Sequence, residues 1–410
     1  MLKITDKKTK NLLLFLAWIV YFAGYLARLN YGAAMAEIIN KEMISKSMAG
    51  LISTGAFISY AIGQIIGGIL GDKFRPNFVM LGGLLCTGIC NLLMAFFHSA
   101  TAHFIIWCVN GHAQAMLWPP MLRIFAECYT KEDLSKMCVR VSTSCTAGTI
   151  AVYLITPLCI LLSGWRTIFV FSGIVCLIIA IVWSLGIKHV ENSRLLYGKE
   201  ETNEESKDGT VLSFRLVRYA GVLFMIVAVI FHGILKDSVT AWMPTFIMEN
   251  YHLGSAGAIL STVIIPIFST LCLYIASYIN NHIFRNEAVT ATVLYIIGLF
   301  GALIIYFFFG NGIITSLLSA TLITSAMYGV NLMLITAVPS NFVKYGKVST
   351  LTGTLNAFTY LGSAISTYGV GAISQYFGWQ STLLIWLISA FLGTIFCLIS
   401  ISKWSQFLRQ

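Results

Sequence analysis

The chain has 410 residues, 58% of them hydrophobic and only 10% charged, with a mean hydropathy of +0.83. That balance excludes an ordinary soluble domain and describes an integral membrane protein. A net charge of +10 raises the question of nucleic acid, but the basic residues follow the membrane rather than forming one binding face, so no nucleic-acid partner is expected.

Polar or glycine-rich breaks divide the chain into about twelve apolar stretches, each near the roughly 20 residues that cross a 30 Å hydrocarbon core. In chain order they cover 11–36, 47–71, 77–98, 101–126, 136–162, 165–187, 217–248, 255–280, 287–309, 312–338, 348–373 and 379–402. Lipid offers no partner to an open strand edge, so these spans are expected to be helices, making an all-α membrane protein. Span one has basic residues before it and Ala34-Met35-Ala36 after it, like a secretory signal, but its apolar run is too long and a polytopic chain follows.

Span one also carries Arg28. A guanidinium at membrane depth costs roughly 3 kcal/mol on insertion scales, so it needs an interior with partners or water and marks a candidate site. Tyr21, Tyr25 and Arg28 are spaced i, i+4, i+7 and share one helix face.

With the N-terminus inside, Lys3, Lys7, Lys8, Lys10, Lys73, Arg75, Lys131, Lys136, Arg140, Arg285, Lys344, Lys347, Lys403 and Arg409 collect on the cytoplasmic side. The opposite side keeps little beyond Lys41, Lys46 and Arg166, so both termini are expected in the cytoplasm. The ten cysteines mostly fall inside spans without metal-finger spacing and read as small packing residues, with no disulfide framework implied.

Residues 188–215 form the one long hydrophilic stretch and read as a cytoplasmic linker between an N-terminal bundle, 1–187, and a C-terminal bundle, 216–410. The halves repeat at an offset of about 210 residues. Gly164-Trp165-Arg166-Thr167 recurs as Gly378-Trp379-Gln380-Ser381, the turn ending at Arg75 as the turn ending at Arg285, and Lys136 as Lys347. Repeats of this size mean duplicated bundles with a substrate site at their interface near the bilayer midplane. The same offset carries Arg28 forward to near Lys236 in span seven, so each half supplies one cation from its first helix. Two facing cations repel unless an anion sits between them, and a dianion such as phosphate satisfies both.

Three motifs add to this. Gly68-Ile69-Leu70-Gly71-Asp72-Lys73-Phe74-Arg75 follows span two; it is either a plain basic turn or a gating loop in which Asp72 and Arg75 pair differently in two states. Gly111-His112-Ala113-Gln114 leads in span four to Trp118-Pro119-Pro120, where paired prolines remove two backbone donors and kink the helix. Span seven ends in Trp242-Met243-Pro244-Thr245-Phe246.

The loop after span two resembles the signature of the major facilitator superfamily. Together, the span-one, span-four and span-seven motifs resemble the organophosphate:phosphate antiporter family within it. The resemblance runs nearly end to end and implies the major facilitator fold, twelve helices in two pseudo-symmetric six-helix bundles, with one basic residue from each half holding phosphate. Arg28 stands at the first of these positions and Lys236 where the family usually has arginine. Tyr25, Tyr60, Trp118, Tyr328 and Tyr360 match pocket-lining aromatic positions, and Tyr21 and Gln114 belong to the same candidate set.

Departures bear on the substrate. Gln64 stands where the glycerol-3-phosphate branch has lysine, Cys145 falls near its span-five histidine, and Gly233 replaces a tyrosine one turn before Lys236. His232 either substitutes as a donor or is structural, and Asp237 either neutralises a neighbour or faces elsewhere. These features point away from glycerol-3-phosphate itself.

The expected function is secondary antiport of an organic phosphate, or a similar small organic anion, against inorganic phosphate by alternating access. A membrane sensor of a sugar phosphate is one alternative. A proton-coupled symporter or exporter, using Glu37, Glu127 or Asp237, is another. No nucleotide loop, nucleophile elbow or zinc-ligand cluster points to an enzyme, and no cofactor or metal is called for. The expected setting is a monomer in a bacterial inner membrane.

Overall fold

The computed structural model describes residues 2–129, 131–197, 199–200, 220–342 and 348–409. The described residues form helices joined by short turns, with a two-residue antiparallel pairing of Leu2–Lys3 with Lys199–Glu200. It divides into two compact units, one of residues 1–38 with 55–205, the other of residues 39–54 with 206–410.

The first unit is built from α1 (Lys7–Glu42), α2 (Lys46–Lys73), α3 (Pro76–Phe96), α4 (Ala100–Ala115), α5 (Trp118–Cys128), α6 (Lys131–Ser163) and α7 (Arg166–Tyr197). Within this unit, span four is split into α4 and α5. Pro119 and Pro120 lack the N–H groups that a continuing helix needs, but they fit the free first turn of a new one. Leu13, Leu16, Ala17 and Val20 of α1 pack with Phe125 of α5 and Trp183 of α7 in a common core. The Asp6 carboxylate accepts from the Thr9 backbone N–H at 2.8 Å, capping α1, and this bond holds Asp6 below the usual carboxylate range.

The second unit contains α8 (Val222–Tyr251), α9 (Ser255–Ser261), α10 (Ile264–Ile279), α11 (Glu287–Phe307), α12 (Ile313–Asn331), α13 (Val348–Tyr376) and α14 (Gly378–Leu408). Short π-helical turns extend α10 through Phe284 and α12 through Ala337. Helices α8 and α13 meet backbone to backbone. A Cβ at Gly233 would run into the Thr359 carbonyl, and one at Gly362 into that of Ile230.

The tip formed by residues 39–54 packs within the second unit. Lys46 Nζ lies 2.7 Å from Glu249 Oε2, which also accepts from the Trp379 indole N–H at 2.8 Å. Ser47 donates to Gln375 through its backbone N–H and its hydroxyl, at 3.1 and 3.0 Å. The Thr54 hydroxyl donates to the Ala364 carbonyl at 2.6 Å and accepts from the Tyr368 N–H at 3.1 Å.

Among the described residues each expected span holds helix, but α7 continues to Tyr197, ten residues into the stretch expected as a linker, and residues 198 and 201–219 of that stretch and of span seven lie outside the described residues. Nine helical segments among the described residues are long and apolar enough to cross a membrane. In span four neither piece is long enough alone, and α13 is rich in hydroxyls, including Thr359, Ser363, Ser366 and Thr367. The repeat also has a backbone counterpart. Gly164 and Gly378 both take the left-handed conformation, at φ +90° and +79°, and each is followed by a buried tryptophan. The turns ending at Arg75 and Arg285 differ, Arg75 being extended and Arg285 left-handed.

Candidate functional site

Within the first unit, Arg28 lies in a small, partly open pocket lined by Tyr21, Gly24, Tyr25, Arg28, Tyr60, Gln114 and Leu117. The guanidinium sits over the Tyr60 ring, 4.1 Å from its centroid, and 6.0 Å from that of Tyr25. Tyr21 packs against both Tyr25 and Trp118, with ring centroids 5.7 and 5.0 Å away. The aromatic faces attract the cation, and a guanidinium has the planar fork that matches the oxygens of a planar or tetrahedral anion. Gln64 follows Tyr60 by one turn of α2, and its amide nitrogen is buried without a hydrogen-bond partner among the described residues. Cys145, on α6, lies near the Tyr25 side chain and Arg28.

Arg28 is set in place by buried amides from neighbouring helices. Gln114 donates to the Gly24 carbonyl at 3.0 Å, and Asn110 to that of Ala27 at 3.2 Å. Asn91 donates to the Ala27 and Thr87 carbonyls, both at 3.0 Å, and accepts from Asn30 at 2.7 Å. A carbonyl has two lone pairs, so an α1 carbonyl can accept a side-chain amide besides its helical bond. These contacts fix the rotation of α1, and hence which face carries Tyr21, Tyr25 and Arg28. Asn91 and Asn110 were not among the sequence candidates. Their signal was an amide inside an otherwise apolar span, which is costly unless satisfied.

Within the second unit a separate polar group surrounds Lys236. Its ammonium is 3.4 Å from the Asp237 carboxylate and 5.9 Å from the Tyr328 ring centroid. The other Asp237 oxygen accepts from the Ser363 hydroxyl in a short hydrogen bond. His232 is fully buried, with Nε2 3.2 Å from the Asn331 amide nitrogen and Nδ1 without a hydrogen-bond partner among the described residues. Tyr360 lies half-buried on α13. Asp237 thus turns toward Lys236, and Ser363 is a member of this group that sequence reasoning missed.

Trp242 is buried and donates its indole N–H to the Thr367 carbonyl at 3.1 Å, so the span-seven motif packs α8 against α13. Of the two gating candidates, Arg75 is exposed, and the Asp72 side chain lies outside the described residues. Among the described residues no group of three or more His, Cys, Asp or Glu could hold a metal ion.

A sequence profile of the Major Facilitator Superfamily matches residues 17–367. The chain is 24% identical to a probable hexose phosphate transport protein of Chlamydia muridarum, over 95% of this chain and 90% of that protein. It is 25% identical to a glycerol-3-phosphate transporter of Bacillus subtilis, over 95% of this chain and 92% of that protein. Its fold matches that of a bacterial homolog of the human lysosomal transporter Spinster, in an inward-facing and occupied conformation. The TM-score is 0.77 over 99% of this chain and 98% of that one, at 14% identity. The chain therefore belongs to the Major Facilitator Superfamily as a multi-pass membrane protein, and its relatives include proteins named for hexose phosphate and glycerol-3-phosphate transport, consistent with the organophosphate:phosphate antiporter branch.

Proposed function

We propose that the chain is a secondary transporter that exchanges a small organic phosphate, or a similar organic anion, for inorganic phosphate by alternating access. The observation that carries this reading is the Arg28 guanidinium in an aromatic-lined cavity at membrane depth. An intramembrane arginine is costly, and an anionic cargo is the partner that gives it a purpose. Its planar fork suits phosphate oxygens. Lys236 is the basic residue that the second repeat brings to the path. The relatives named for hexose phosphate and glycerol-3-phosphate support a phosphorylated cargo. The protein acts as a monomer in a bacterial inner membrane, with both termini cytoplasmic.

The test is radiolabelled phosphate exchange in proteoliposomes, challenged with unlabelled phosphate esters. Uptake should require phosphate inside the vesicle, be competed by some esters, and vanish in Arg28→Ala. Uptake that is as fast into phosphate-free vesicles, or untouched by every phosphate compound, overturns the reading.

A further inference from the structure

Lys236 and Asp237 are sequence neighbours, and adjacent helical residues point about 100° apart. Their ion pair at 3.4 Å is therefore not a product of helix geometry alone. Asp237 is steered by α13, because its second oxygen is held by the Ser363 hydroxyl. Ser363 can reach it because α8 and α13 touch at Gly233 and Gly362, where any side chain would strike the opposing backbone. The Ser363 hydroxyl is itself within 3.0 Å of the Thr359 carbonyl, which fixes its position on the helix. The carboxylate is thus anchored between two helices, with its side chain 19% exposed and that of Lys236 16% exposed.

A lysine neutralised in this way still offers N–H donors, and the carboxylate beside it offers an acceptor, but the pair carries no net charge. A cargo hydroxyl can use both groups. A second anionic group on the cargo meets Asp237 as a like charge, with Lys236 already engaged.

We propose that Asp237 is a specificity-determining residue that limits the negative charge of the cargo. It selects molecules with one anionic group and a hydroxyl-bearing remainder over those with a carboxylate in place of a hydroxyl. The proposal rests on the reading of this chain as an anion transporter in which Lys236 meets the cargo.

The experiment measures thermal stabilisation of the purified, detergent-solubilised protein by two ligand pairs at fixed pH. One pair is glycerol 3-phosphate and 3-phosphoglycerate; the other is 2-hydroxyethanesulfonate and sulfoacetate. In each, the second member replaces a hydroxymethyl group by a carboxylate. The wild-type protein should bind the hydroxyl member more tightly. Asp237→Asn should shift the ratio of dissociation constants by about tenfold toward the carboxylate member, as expected for removing a unit charge near contact in a partly solvated site. Ser363→Ala keeps both charges but frees the carboxylate, and should shift the ratio in the same direction by a smaller step.

An unchanged ratio in Asp237→Asn overturns the proposal. If that variant does not fold, an unchanged ratio in Ser363→Ala overturns it instead. Binding of the sulfonate pair with no stabilisation by inorganic phosphate overturns the phosphate reading while the ratio still reports on Asp237. Binding of neither pair by the wild-type protein overturns the proposal, and no stabilisation by inorganic phosphate in addition overturns the phosphate reading as well.

Discussion

The Arg28 guanidinium lies over the Tyr60 ring, 4.1 Å from its centroid, so α1 supplies the charge and α2 the face it rests on. A desolvated contact of this kind contributes up to about 2 kcal/mol. Tyr60→Phe keeps the aromatic face and should change the phosphate dissociation constant by less than about threefold. Tyr60→Leu removes the face, and the loss of about 1 to 2 kcal/mol should weaken phosphate binding roughly tenfold. Thermal stabilisation by inorganic phosphate reads both.

Arg28 itself should be irreplaceable in two graded steps. Arg28→Lys retains the charge but loses the fork, and Arg28→Ala loses both. Charge-assisted hydrogen bonds contribute about 1.5 to 3 kcal/mol, so the alanine variant should lose roughly 10- to 100-fold in phosphate affinity. The lysine variant should fall between it and wild type. Titration with inorganic phosphate against both variants decides the order.

Asn91 should matter without touching cargo. It is fully buried and joins Asn30 to the Ala27 and Thr87 carbonyls. Asn91→Leu leaves the Asn30 amide without that acceptor and should cost about 1 to 3 kcal/mol of stability. The signature to seek is a lower melting temperature together with weaker phosphate binding, since the rotation of α1 would relax with the lost bonds.

Gly233→Ala should destabilise by about 1 to 3 kcal/mol, because the added methyl meets backbone rather than a side chain that can turn away. Gly353→Ala, also helical but with open space around its Cβ position, is the control. It should be neutral or stabilising by up to about 1 kcal/mol through helix propensity. Similar melting temperatures for the two variants would argue against backbone contact between α8 and α13.

Glu249→Gln should be milder than Glu249→Ala. Both remove the ion pair with Lys46, but glutamine keeps an oxygen for the Trp379 N–H. The ion pair is partly exposed and is worth about 1 kcal/mol or less, decreasing with salt. The alanine variant should therefore lose stability even at high salt, where the glutamine variant approaches wild type. Thermal melting at low and high ionic strength separates the two contributions.

Span positions were legible because bilayer thickness fixes helix length, and the alternation of apolar runs with polar breaks records it directly. The break at Pro119 and Pro120 was readable for the same local reason, as prolines change the backbone wherever they fall. Arg28 stood out because its cost at membrane depth depends on the residue alone, and the spacing of Tyr21, Tyr25 and Arg28 fixed their common face. Asn91, Asn110 and Ser363 were not legible as site members, because their roles depend on helices distant in sequence meeting at a given rotation. Gly233 misled in an instructive way. As a missing tyrosine it read only as a change in the pocket, whereas in the fold it is the point where α8 meets α13. The direction of Asp237 was undecidable until α13 placed Ser363 beside it.

Thr54 carries a last consequence. Its hydroxyl engages the Ala364 carbonyl and the Tyr368 N–H, the acceptor and donor four residues apart that an α-helix joins to each other. Were this contact broken, those two groups would still have one another, and the threonine could return its proton to a carbonyl of its own helix. Separation at this point is an exchange of partners with no stranded backbone group. The contact of Thr54 with α13 is thus one on which no backbone group of that helix depends.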